Sequence, residues 1–150
     1  MSIAYPFVDV DVDTSGLAPV MRRAPGVLAV VGVSTLGDAP ANTPRIVGSL
    51  EEAANMFATV DGEGAVTATS PLYEGLVAAM TQSPGPSKVN GVKAAADGIP
   101  AALASLNAAD DVTFVTLAGI VASAPPDAGT SASVTNPDVA ALFAHVQAAA

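Results

Sequence analysis

The chain has 150 residues, of which 51% are hydrophobic and 4% aromatic, with no cysteine, no tryptophan and a formal net charge of −9. The lack of cysteine excludes disulfides, thiolate catalysis and cysteine-ligated metal, and the five basic residues (Arg22, Arg23, Arg45, Lys88, Lys93) form no patch to neutralise a phosphate backbone, so no direct nucleic-acid partner is expected. No run reaches the ~18 apolar residues of a membrane span, and residues 1–13 lack the basic start and apolar centre of a signal peptide, so synthesis in the cytoplasm without membrane insertion is expected.

Residues 5–13, YPFVDVDVD, alternate apolar and acidic side chains. This is the period of a strand with one wet face. Tyr5, Phe7, Val8, Val10 and Val12 are the candidate buried side of a ladder, opposite Asp9, Asp11 and Asp13. Residues 14–25 are turn-formers and small side chains, and Gly16, Pro19, Pro25 and Gly26 are candidate hinge positions. Residues 1–23 thus read as an N-terminal β arm with its linker, able to pair away from its own domain, and residues 24–150 as the domain proper.

That domain opens with Val27, Leu28, Ala29, Val30, Val31 and Val33, an apolar, β-branched run that predicts a strand buried on both faces. Residues 34–45 are too polar to prolong it. Ser49 and Glu52 fit a capping box ahead of Ala53, Ala54, Met56 and Phe57, so a helix is expected from Leu50. After a loop at residues 61–64, Ser70-Pro71 supplies a cap and a first-position proline for a helix over residues 71–82, carrying Leu72, Leu76, Val77 and Met80. Residues 83–86, SPGP, stop it. Residues 88–95 read as a strand through Val89 and Val92. Asp97 is the expected cap of a third helix with Ile99, Ala102, Leu103 and Leu106, and residues 112–117, VTFVTL, read as another buried strand.

Residues 118–135, rich in Ala, Ser, Pro, Gly and Thr, read as an exposed loop. Asn136-Pro137-Asp138 then opens a last helix with Val139, Leu142, Phe143 and Val146 at helical spacing. Strand and helix alternate, which predicts an α/β fold with a mixed, partly parallel sheet flanked by helices and an extended N-terminal arm. The last helix is not followed by the strand to which a βαβ unit returns, so the domain reads as incomplete at its C-terminal end. With so few aromatics the core must be built from Ala, Val and Leu, which packs backbones close together.

Motifs for chemistry are weak. Residues 32–37, GVSTLG, approach a nucleophile elbow, but the second glycine comes one residue late and the single histidine, His145, sits on a helix, so no base is placed for a serine. Residues 62–64, GEG, and Gly85-Pro86 lack the spacing of a phosphate cradle. Asp9, Asp11 and Asp13 lack the glycine and the final glutamate of a calcium loop. Asp110-Asp111 reads as a polar turn and Arg22-Arg23 as a solvated one. No catalytic residue, metal or cofactor is expected.

Taken in order, residues 24–58, APGVLAVVGVSTLGDAPANTPRIVGSLEEAANMFA, resemble the N-terminal part of contractile tail sheath proteins of tailed phages and contractile injection systems. In that family a proline-glycine step leads into a VGVST-type strand, and Gly37, Asn42, Pro44, Val47, Ser49, Glu52 and Phe57 stand where the following connection and short helix place such residues. The resemblance continues through SPLYEGLVAAM, KVNGVKAA and LASLNAADDVTFVTLAGI, and covers the first part of a longer family protein. It implies copies stacked in a helical sheath around an inner tail tube protein, between baseplate and tail-terminator proteins, in a virion tail assembled in the host cytoplasm. In that setting the arm would lend a strand to a neighbouring copy while residues 14–25 flex. Two other readings stand beside it: a free-standing α/β binding domain with a ligand between residues 34–42 and 118–130 at the carboxyl ends of the strands, and another virion structural protein such as a baseplate component.

Overall fold

The computed structural model describes residues 26–95, 98–120 and 136–149. The arm therefore lies outside the described residues, as do most of the loop at 118–135 and Asp97. Six strands and four helices follow one another as β1 (Val27–Val33), β2 (Arg45–Val47), α1 (Leu50–Phe57), β3 (Thr59–Val60), β4 (Val66–Ala68), α2 (Pro71–Thr81), β5 (Lys88–Ala94), α3 (Ile99–Ser105), β6 (Phe114–Ala118) and α4 (Pro137–Ala149), with a 3-10 turn (Leu106–Ala108) after α3.

The main sheet has the order β2-β5-β1-β6. β1 pairs parallel with β5, from Val27 opposite Lys88 to Val33 opposite Ala94, and parallel with β6, from Leu28 opposite Phe114 to Gly32 opposite Ala118. β2 adds to β5 antiparallel, Ile46 facing Asn90. The fold is α/β with a mixed, partly parallel sheet flanked by helices. β3 and β4 form a separate two-stranded hairpin.

Alternation along β1 divides the core into two layers. Val30 packs with Phe57, Leu72, Leu76 and Val89 beneath α1 and α2. Ala29 and Val31 pack with Val92, Ile99, Leu103 and Leu106 beneath α3, where Leu142 of α4 joins them. β1 is thus buried on both faces through its middle four residues, as its composition predicts. The small side chains bring backbones together: a Cβ on Gly75 of α2 would lie 3.1 Å from the Ala118 methyl and 3.3 Å from Val30 Cγ1. Gly91, in the middle of β5, leaves the space that the Phe57 ring fills, since a Cβ there would be 2.7 Å from the ring.

Several local signals fold as read. Ser49 caps α1 by accepting from the Glu52 amide at 3.1 Å, while the Glu52 carboxylate accepts from the Gly48 amide at 2.8 Å, one residue earlier than in the standard capping box. Ser70 caps α2 by accepting from the Tyr73 amide, and Asn136 Oδ1 accepts from the Asp138 amide at the start of α4. The α3 cap differs from expectation. Gly98 holds the N-cap position with φ 91°, a conformation suited to glycine, and no side chain caps the helix. The strand expected at residues 112–117 begins two residues later and ends one later, and it is only half buried, because β6 is a sheet edge: Phe114 is 56% exposed.

Candidate functional site

In an open α/β sheet, ligands bind outside the carboxyl ends of strands where neighbouring connections leave to opposite faces. Here that position lies between β1, whose chain leaves toward α1, and β5, whose chain leaves toward α3. The loop after β1 fills it. The half-buried Lys93 ammonium of β5 donates to the carbonyls of Leu36 (3.2 Å) and Gly37 (3.0 Å). Asn42, at φ 51°, donates its amide to the Lys93 carbonyl at 2.7 Å and accepts from the Ala95 amide at 3.3 Å.

The same loop completes α1. A helix leaves its last four carbonyls without partners, and α1 has neither a basic residue in its last turn nor a glycine after it. Each carbonyl finds a donor nonetheless. Ala54 accepts from Ala58, Asn55 from the Asp38 amide at 3.1 Å, Met56 from the Ala39 amide at 3.1 Å, and Phe57 from the buried Ser70 hydroxyl at 2.7 Å. Gly37 lies so close to the Met56 carbonyl that a Cβ would collide with it, and its φ of 72° excludes most other residues. The polar stretch at residues 34–45 is therefore a fitted plug between β1, β5 and α1. Its prolines and polar side chains, which read as an ordinary loop, disguise this in the sequence.

Ionisable groups do not converge. Among the described residues no group of three or more His, Asp or Glu is placed to hold a metal, and no helix is long and apolar enough to cross a membrane. Asp111 pairs with Lys88 at 2.6 Å, and the Lys88 ammonium that donates to it holds the Asp111 carboxyl below its ordinary value of 3.8. This pair ties the start of β5 to the turn before β6, in line with the reading of Asp110-Asp111 as a turn. His145 borders an open cleft with Asn107, Asp110, Val112 and Val146, well away from Ser34 on the opposite end of the sheet.

Of the sequence-derived interface residues, Tyr5, Phe7, Val8, Val10 and Val12 lie outside the described residues, as do the hinge positions Gly16, Pro19 and Pro25. Gly26 is described. It is buried, and its carbonyl accepts from both the amide (3.0 Å) and the hydroxyl (2.8 Å) of Ser87. Gly26 is thus anchored to the domain. The main sheet ends at β2 on one side and β6 on the other, and both edges carry an exposed apolar side chain, Ile46 (57% exposed) and Phe114. Sequence reading missed β2. The Arg45-Ile46-Val47 triplet is too short to show a period, and its pairing partner is more than forty residues away.

No family model, no curated protein and no solved structure matches this chain.

Proposed function

We propose that this chain is a structural subunit, or the N-terminal portion of one, of a contractile tail sheath that polymerises around an inner tube and contracts to drive it through a cell envelope. One observation carries the reading. The strand–loop–helix unit over residues 27–57, where the resemblance is densest, is closed by Asn42 of its own loop and by Lys93 of β5, which occupy the position where this architecture would hold a small molecule. That favours a rigid building block over a binding domain.

Rigid bodies joined by flexible backbone ladders suit a lattice that must change its helical parameters without dissociating. Main-chain hydrogen bonds from the arm would keep neighbouring copies together, and residues 14–25 would absorb the rotation. Copies of the chain, the tube, and baseplate and tail-terminator proteins are the partners, the virion tail is the location, and no cofactor or catalytic group takes part. The test is deletion of residues 1–13. Sedimentation of the full chain with tube protein should yield large co-assemblies that the deletion abolishes, and unchanged co-assembly would refute strand lending.

A further inference from the structure

On the α3 face of the sheet an open cleft runs between β2 and the turn before β6, lined by Pro44, Ile46, Lys88, Asn90, Asp110 and Asp111. Strand register orders it. Lys88 stands opposite Val27, whose carbonyl accepts from the Thr113 amide at 2.9 Å, so Lys88 and its partner Asp111 mark the end near the start of β1. Asn90 stands opposite Ala29 and Ile46, two residues further along β5, and marks the other end. Two groups in the cleft lack partners among the described residues. Asn90 is 3% exposed and its Nδ2 has no acceptor. A buried amide donor left unpaired is costly, which marks the place for an acceptor. Asp110, at the rim between this cleft and the one beside His145, has no cation within salt-bridge distance. An occupant that completes the cleft brings a carbonyl to one end and a positive charge to the other.

The chain itself contains that combination. Of its five basic residues, Lys88 is paired with Asp111 and Lys93 with the loop carbonyls, while Arg45 alternates with Ile46 and so lies on the Val47 face of β2, away from the cleft. Arg22 and Arg23 remain. They stand four and three residues before Gly26, whose carbonyl is held by Ser87, next to Lys88. Five extended residues reach up to about 17 Å, enough to bring residues 20–23, VMRR, back from Gly26 along the cleft. The order also fits. Leaving Gly26, the arginines come first, at the aspartate end, and Met21 follows at the apolar end formed by Ile46 and Pro44.

We infer that residues 20–23 clasp the domain of their own chain in this cleft. Arg23 pairs with Asp110. Met21, on the same side of an extended segment, covers Ile46, and a main-chain carbonyl of the segment accepts from Asn90 Nδ2. Rotation in the linker is then confined to residues 14–19, and the arm leaves from a fixed point on the domain. The clasp goes beyond the assembly reading and does not depend on it.

The natural absence of cysteine permits a direct test on the full-length chain without tube protein, so a failure here leaves the proposed function standing. A Met21→Cys/Ile46→Cys double variant is oxidised mildly beside Met21→Cys/Phe114→Cys, whose second site adjoins Gly26 on the opposite face of the sheet. Mass spectrometry of the linked peptides, with half of the chains isotope-labelled, separates links within a chain from links between chains. The expected result is an intrachain disulfide that forms several-fold faster than the comparison. It should be slowed about threefold to fivefold by Asp110→Lys, weakened by salt, and restored when Arg23→Asp is added to Asp110→Lys. Equal rates in the two double variants overturn the inference, and so do links found solely between chains. A rate unmoved by Asp110→Lys overturns the pairing with Arg23.

Discussion

The contact between Phe57 and Gly91 permits a quantitative test of how α1 is locked to the sheet. Phe57 is fully buried, and the ring atoms nearest to a Cβ at position 91 are Cε2 and Cζ, at 2.7 Å, with Leu76 Cδ1 at 3.1 Å. Gly91→Ala alone forces a methyl group into filled space and should cost about 1–3 kcal/mol by overpacking. Phe57→Leu removes the very atoms that the methyl would meet and leaves a small void, at a cost of about 1–2 kcal/mol. Together the new methyl occupies the space the ring vacates, so the double variant should be more stable than the sum of the singles by about 1–2 kcal/mol. Urea denaturation with a shared m-value reads the three free energies, and melting temperatures should follow at roughly 2–4 °C per kcal/mol for a chain of this size. Additivity within about 0.5 kcal/mol would refute the packing described for this contact.

Three other changes probe the plug and its neighbours. Gly37→Ala combines a φ of 72° with a collision against the Met56 carbonyl, so it should destabilise by more than about 1 kcal/mol in urea titrations, and a neutral result would mean that the loop does not seat on α1. Lys93→Met keeps the apolar stem but removes the donors to Leu36 and Gly37. Hydrogen exchange should then quicken at the amides of Asp38 and Ala39 while β1 stays protected, and unaltered exchange there would contradict the role given to the ammonium. Asp111 has its folded pKa depressed by Lys88, so the stabilisation it contributes is present above the unfolded value of 3.8 and is lost as pH falls through the lower folded one. The urea midpoint of Lys88→Ala should accordingly lie below that of the parent chain at pH 6, and the gap should close as pH falls below the depressed folded value, whereas a constant gap would remove the pair as its cause.

What could be read from the residues was what is decided locally. Ser49 with Glu52, Ser70 before Pro71, and Asn136 before Pro137 each satisfy helix amides within a few positions, so their signal is complete in a short window. Strands β1 and β5 carry enough β-branched side chains to stand out. Pairing over long distances leaves no such trace. β2, β3 and β4 are two or three residues each, and the exposure of β6 depends on its being last in the sheet, a matter of topology, whereas the sequence VTFVTL would suit a central strand equally well. The plug was the least visible of all. Asp38 and Ala39 look like ordinary loop residues until the unpaired carbonyls of Asn55 and Met56 are placed beside them, and Lys93 looks like a solvated lysine on a strand until the loop after β1 folds over it. Asp97 was a sound cap by type. Gly98 takes that position because the chain turns there at a positive φ.

The central claim is that the chain works collectively, by lending and receiving strands. Cryo-electron microscopy of the full-length chain mixed with its tube protein tests it most directly. The account predicts helical rows of the α/β domain around the tube, with an extended strand of one copy lying against the sheet edge of the next. Bare tubes beside solitary copies at high concentration would contradict it.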